Sequence, residues 1–232
     1  MNQLPLSLGV RHNTDAKGAV LKNRPLTAEQ IQKTLSRDKF TCRCCGFISR
    51  KFHRVVFQRD LDPKASERNL VTLCTFCEMT TALDRAGLTG AGYIIWLPEL
   101  SQIELSSLVR ALFVARAGED TALAETARRM LDVLTARRAE AKKRLGTDDP
   151  LLLATALHEM VNEKPAARAP KLEGLRFLPL DRYFVANQGK DVNMFPSILD
   201  YWVSPEGPFG QTPVSTWPAL FEKRIKAAQD QT

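Results

Sequence analysis

The sequence predicts an α+β protein: a small ββα-metal core, a helical part behind it and an irregular C-terminal tail. Three observations predict this class. Two Cys-x-x-Cys pairs, Cys42/Cys45 and Cys74/Cys77, stand 28 residues apart around a strand-like run. Amphipathic helical patterns take over from Ser101 to about Val161. Beyond Pro165, aromatic residues lie scattered among prolines and glycines without a clean period.

Length and composition bound the rest. A chain of 232 residues, 44% hydrophobic, is long enough for one domain with a tail or two small domains. The boundaries read as an N-terminal arm over 1–26, a zinc-binding core plus helices over 27–162, and a linker with a C-terminal extension over 163–232. No apolar run approaches the roughly 18–20 residues that span a bilayer. The pI near 9.3 and formal charge of +7 favour an acidic partner, which nucleic acid, anionic lipid or an acidic protein segment would satisfy.

The elements follow in order. The arm contains Pro5 and Pro25, and its first residues show no basic segment, apolar core or cleavage site of an export signal. Thr27 caps a short helix to about Arg37, with Ile31 and Leu35 one turn apart. Phe52 to Phe57 has the aromatic and β-branched content of a strand. Asp62-Pro63 and Glu67-Arg68-Asn69 are turn material. A helix is expected from Thr75 to about Arg85, and a flexible glycine turn over Gly87–Gly92. That turn is no phosphate loop, since no Lys-Ser/Thr follows it. Tyr93–Leu97 reads as a short strand stopped by Pro98. Ser101 caps a helix to about Ala117. One long helix is expected over Glu119–Leu145, with Leu123, Met130, Leu131 and Leu134 on one face and Gly146 as its stop. Asp149-Pro150 opens another, and Pro218 to about Gln229 forms a last helix. The aromatic content of the tail exceeds that of a disordered segment, so it either wraps back over the core or docks on a partner.

The cysteine pairs carry the chemistry. Each pair forms a tight knuckle with two sulfurs on one side, and two knuckles supply the tetrahedral four-sulfur set that zinc takes at about 2.3 Å. Disulfides would need an oxidising compartment, for which the N-terminus gives no sign. The candidate ligands of one structural Zn²⁺ are therefore Cys42, Cys45, Cys74 and Cys77. Cys44 breaks the usual gap and reads as a bystander; were it a ligand, the knuckle would be distorted. Gly46 suits the backbone just after a knuckle.

The phrase Cys-x-x-Cys-Gly, a strand, then Asn69-Leu70-x-x-Leu73-Cys74-x-x-Cys77 resembles the His-Asn-His (HNH) nuclease fold. In that family an Asp-His pair ends the strand, the His activates water, and a catalytic metal sits beside it. The corresponding positions here are Phe57-Gln58, and a carboxamide cannot serve as a base near neutral pH. Glu78 stands where the family often has His or Asn, while Asn69 matches the family's central Asn. His53 falls five residues too early and reads as a half-buried strand residue. Asp60 and Asp62 could bind magnesium in principle. His12 and His158 have no ligand partner at a telling spacing. The resemblance thus implies nuclease shape without nuclease chemistry.

Cys42–Phe47, Val55-Val56, Asn69–Thr72, and above all Tyr93-Ile94-Ile95-Trp96-Leu97-Pro98-Glu99-Leu100 followed by Gln102–Leu105 resemble the IcmJ/DotN family of type IVB (Dot/Icm) secretion systems. The resemblance covers roughly residues 1–160. It implies a non-enzymatic adaptor on the cytoplasmic side of the inner membrane, bound to the C-terminal extension of a coupling ATPase beside other coupling-complex subunits. The strand Tyr93–Leu97 and the helix from Ser101 are candidate docking faces, with internal core as the bland alternative. The basic set Arg128, Arg129, Arg137, Arg138, Lys142, Lys143 and Arg144 reads first as a solvated helix face. No aromatic residue interleaves with it, so nucleic-acid binding is not favoured.

Overall fold

The computed structural model describes residues 3–10, 26–58, 69–160, 170–187 and 190–229. His12, Asp60, Asp62 and the expected linker around Pro165 lie outside the described residues.

Helix α1 (Ala28–Arg37) starts where expected. The Thr27 hydroxyl accepts from the Gln30 N–H, and the Gln30 side chain accepts from the Thr27 N–H. Its expected apolar face is thin: Thr34 is buried, but Ile31 is exposed. The helix ends on Asp38, whose buried carboxylate accepts from Arg37 at 3.0 and 3.1 Å and from the Thr72 N–H at 2.9 Å. Burial works to raise the Asp38 pKa, and the bonds from Arg37 and Thr72 outweigh it, so the pKa falls.

Strands β1 (Arg54–Phe57) and β2 (Leu70–Leu73) pair antiparallel, with Arg54 opposite Leu73 and Phe57 opposite Leu70. The strand starts later than expected because Phe52 sits at φ 63°, outside the extended region. Helix α2 (Thr75–Thr80) follows β2 directly, giving the expected ββα order.

The single helix expected over Thr75–Arg85 is two, α2 and α3 (Leu83–Leu88). The N-terminal arm causes the break. The Gly9 N–H donates to the Thr80 carbonyl at 3.1 Å, and the Gly9 carbonyl accepts from the Leu83 N–H at 3.0 Å. The helical ladder is diverted into the arm, and Leu8 and Val10 are buried beside it. Gly87, expected in a flexible turn, lies inside α3. A Cβ there would stand 2.4 Å from the Leu151 nitrogen of α7 (Pro150–Glu159), so the glycine permits close helix packing.

Strand β3 (Gly92–Trp96) leads to α4 (Gln102–Arg116), which opens on a Ser101/Glu104 capping box. The long helix expected over Glu119–Leu145 is also divided, into α5 (Thr121–Ala136) and α6 (Arg138–Leu145). At the joint the Arg137 carbonyl accepts from the Trp96 N–H at 3.3 Å. The buried face of α5 is Ala124, Ala127 and Leu134, while Met130 faces outward. Small residues let α5 approach α4 closely.

The tail is not irregular. It forms β4 (Leu175–Pro179), β5 (Phe184–Asn187), β6 (Lys190–Asn193), α8 (Phe195–Val203) and α9 (Trp217–Gln229). β4 pairs antiparallel with β3, with Gly92 opposite Pro179 and Trp96 opposite Leu175, and β5 pairs with β6. Of the two expectations for the tail, wrapping back is the one the structure shows. Phe195 and Trp202 of α8 pack with Phe76 of α2 and Phe113 of α4 at centroid distances of 5.1 to 6.3 Å. Such edge-on and offset ring pairs add about 0.5–1.5 kcal/mol each beyond their burial.

The candidate docking strand is core. Ile94 and Ile95 are fully buried. The rings of Tyr93 and Trp96 are covered by the guanidinium groups of Arg138 and Arg144, 3.4 and 3.9 Å from the centroids. Helix α4 likewise buries most of its apolar stripe. The basic set is largely engaged at the surface, through Arg128–Glu125, Arg137–Glu99, Arg138–Asp148 and Arg144–Glu140 pairs of 2.7 to 3.0 Å. Among the described residues no helix is long and apolar enough to cross a membrane.

Candidate metal centre

The first knuckle is a tight reversal between α1 and β1. Thr41 bridges Ile48, the Cys42 N–H donates to the Phe47 carbonyl at 2.8 Å, and the Gly46 N–H donates to the Cys42 carbonyl at 2.9 Å. Gly46 adopts φ 74°, the left-handed conformation expected of it, which a Cβ would strain. The second knuckle follows β2: Cys74 is extended and caps α2, which carries Cys77 one turn on. Backbone bonds hold the knuckles together. The Arg43 N–H donates to the Thr72 carbonyl of β2 at 2.8 Å, and the arm's Leu4 N–H donates to the Arg43 carbonyl at 2.8 Å.

The result is a sulfur cluster. The Sγ atoms of Cys42, Cys45, Cys74 and Cys77 all lie within 4.8 Å of one another, and those of Cys45 and Cys74 are 3.6 Å apart. A tetrahedral site with bonds of about 2.3 Å separates its sulfurs by about 3.8 Å, so the donor set fits one zinc-sized ion. Cys44 is fully buried and its sulfur lies outside that group.

The acid–base state of the thiols gives the same indication. Cys42 is held well below the usual thiol range, because the neighbouring thiols Cys44, Cys45, Cys74 and Cys77 donate to its sulfur. Burial pushes Cys74 up, and donation to Cys42 pushes Cys77 up. Cys45 falls as well: the Cys42 contact works to raise it, and the bonds from Cys74 and Cys77 outweigh that. A dication would replace the donated protons and let all the sulfurs ionise.

Sequence reasoning missed Arg110. From the buried side of α4 its Nη2 donates to Cys74 Sγ at 3.3 Å and to Cys45 Sγ at 3.8 Å. Burial opposes its charge, and attraction to Cys74, Cys45 and Cys77 more than restores it. The signal was present in Val109-Arg110-Ala111-Leu112-Phe113, a lone arginine inside an apolar stripe.

The nuclease-like positions hold other things. Phe57 ends β1, and the Gln58 N–H donates to the Asn69 carbonyl at 2.7 Å. His53 stands just before β1, with a ring nitrogen 3.1 Å from the Phe47 carbonyl. Its pKa is lowered chiefly by burial, and it braces the first knuckle from outside. Glu78 is buried on α2, where it accepts from Arg85 at 3.1 Å and from the Tyr183 hydroxyl at 3.3 Å. Burial, then the Glu78 charge, pushes the Tyr183 hydroxyl up to about 12. His158 is on the exposed side of α7, remote in sequence and element from the cysteines.

Fold and site together define a tetracysteine α+β protein whose four clustered sulfurs could hold one metal ion. No protein-family model matches the chain. It is 32% identical over 155 residues to the type 4 apparatus protein DotN of Legionella pneumophila (strain Philadelphia 1), a match covering 64% of this chain and 71% of that relative. The chain belongs to the IcmJ/DotN family of type IVB (Dot/Icm) secretion systems, as its motifs implied.

Proposed function

We propose that the chain is a non-enzymatic, zinc-stabilised adaptor subunit of a type IVB secretion coupling complex. It binds the C-terminal extension of the coupling ATPase beside other coupling-complex subunits, at the cytoplasmic face of the inner membrane. The observation that carries this reading is the kinship with a type 4 apparatus protein in a chain whose four cysteine sulfurs cluster within 4.8 Å of one another.

Cys42, Cys45, Cys74 and Cys77 would hold the ion. An all-sulfur tetrahedral set suits zinc and leaves no open position for a reacting water. When bound, such an ion contributes about 10–16 kcal/mol of folding free energy. It would fix the two knuckles, α2 and β2 against one another.

The side chains at the nuclease-like positions support a non-enzymatic role. At the end of β1, Phe57 and Gln58 supply neither a base nor a metal ligand. The Glu78 carboxylate is turned inward to Arg85 and Tyr183. These substitutions support a degenerate HNH-like scaffold retained for its shape.

The test is affinity capture of the tagged protein from its host after mild detergent extraction, with bound protein and nucleic acid both identified. The proposal expects the membrane-associated coupling ATPase in stoichiometric amount. Salt-sensitive recovery of DNA or RNA without that ATPase would overturn it.

A further inference from the structure

Arg110 is 4% exposed, and among the described residues no Asp or Glu lies within ion-pair distance of it. A buried guanidinium without a carboxylate is strongly unfavourable unless another anion compensates it. The acceptors it reaches are Cys74 Sγ and Cys45 Sγ, one from each knuckle. Its Nε has no hydrogen-bond partner. Rings hold it instead: its central carbon lies 4.0 Å from the Phe47 centroid, 5.4 Å from Phe76 and 5.8 Å from Trp202. Those rings come from the first knuckle, from α2 and from α8 of the C-terminal extension. Four thiolates around a dication carry a net charge of −2, which a buried site must offset.

We propose that Arg110 is an outer-sphere positioning residue of the metal centre. Clamped by Phe47, Phe76 and Trp202, its guanidinium donates to the Cys74 and Cys45 sulfurs, offsets part of the tetrathiolate charge and slows metal loss. The planar, always charged fork suits this better than a lysine, whose compact ammonium is more strongly hydrated. Because one of the clamping rings belongs to α8, docking of the extension and retention of the metal are coupled.

The inference rests on zinc occupancy of the cysteine site, so the metal content of the purified wild-type chain is measured first. Cobalt(II) is then substituted into wild type, Arg110→Met and Arg110→Lys, and metal release to a chelator and the absorption spectrum are followed. Loss of an outer-sphere partner weakens metal binding by about 10–100-fold, and Arg110→Met is expected to fall in that range. Its sulfur-to-cobalt charge-transfer band is expected to move to lower energy, because a thiolate without a donor releases electrons more readily. The tetrahedral ligand-field bands stay in place. Arg110→Lys is expected to fall between wild type and Arg110→Met. Unchanged release and an unmoved charge-transfer band in Arg110→Met overturn the inference. If that variant does not fold, the same null result in Arg110→Lys overturns it. A wild-type protein without bound metal defeats the occupancy reading itself, whereas zinc in wild type with unaltered variants defeats only the role of Arg110.

Discussion

Trp202→Ala probes whether the C-terminal extension is part of the core. Trp202 is 2% exposed, and its ring lies edge-on to Phe47 at 5.6 Å, Phe76 at 5.8 Å and Phe195 at 6.0 Å. Truncating a buried Trp to Ala costs about 3–5 kcal/mol. The cavity would open between α8 and the first knuckle, and the middle of that range applies. For a chain of this size each kcal/mol moves the melting temperature by about 2–4 °C. About 4 kcal/mol therefore predicts a fall of about 8–16 °C. The assay is thermal unfolding by circular dichroism at saturating zinc, with chelator-driven zinc release measured alongside. Zinc release should accelerate, since Trp202 is one of the rings clamping Arg110. A shift below about 2 °C with unchanged release would refute the reasoning and make α8 a peripheral element.

The cysteines make separable predictions. Cys74→Ser should release zinc and unfold the region around residues 40–85, whereas Cys44→Ser should retain the metal, as judged by metal content and melting of the two variants. Gly87→Ala should destabilise by about 1–3 kcal/mol, despite the gain of about 1 kcal/mol in helix propensity, because the new Cβ meets the Leu151 backbone; urea unfolding decides the sign. Asp38 has a depressed pKa in the fold, so its contribution to stability is present above the unfolded value of about 3.9 and is lost as the pH falls through its lower folded value. The stability difference between wild type and Asp38→Asn should therefore be flat above about pH 5 and shrink below about pH 4. A difference that grows on acidification would contradict that sign.

The parts of the fold that were legible in the sequence are those written in local chemistry. The cysteine spacing, Gly46, the Thr27 and Ser101 helix caps and the Asp149-Pro150 helix start each depend on neighbours within a few residues. What escaped depends on distant chain. The break at Thr81 arises because Gly9 takes backbone bonds that a continuous helix would have kept, and at Arg137 the N–H turns to the Leu134 carbonyl while the Arg137 carbonyl also accepts from the distant Trp96. β4 was hidden because its partner β3 lies some eighty residues earlier, and a five-residue strand ending in Pro179 has too short a period to announce itself. Arg110 was hidden because an apolar stripe reads as packing, and nothing local shows that one of its positions faces sulfur.

The central claim is a closed four-sulfur zinc centre built from two knuckles. X-ray absorption at the zinc edge of the purified wild-type protein, with metal content determined on the same sample, tests it most directly. The account predicts one zinc per chain with four sulfur neighbours at about 2.3 Å and no nitrogen or oxygen in the coordination shell. A chain purified without zinc, or a shell containing nitrogen or water oxygen, would contradict it and reopen the site to His53 and to hydrolytic chemistry.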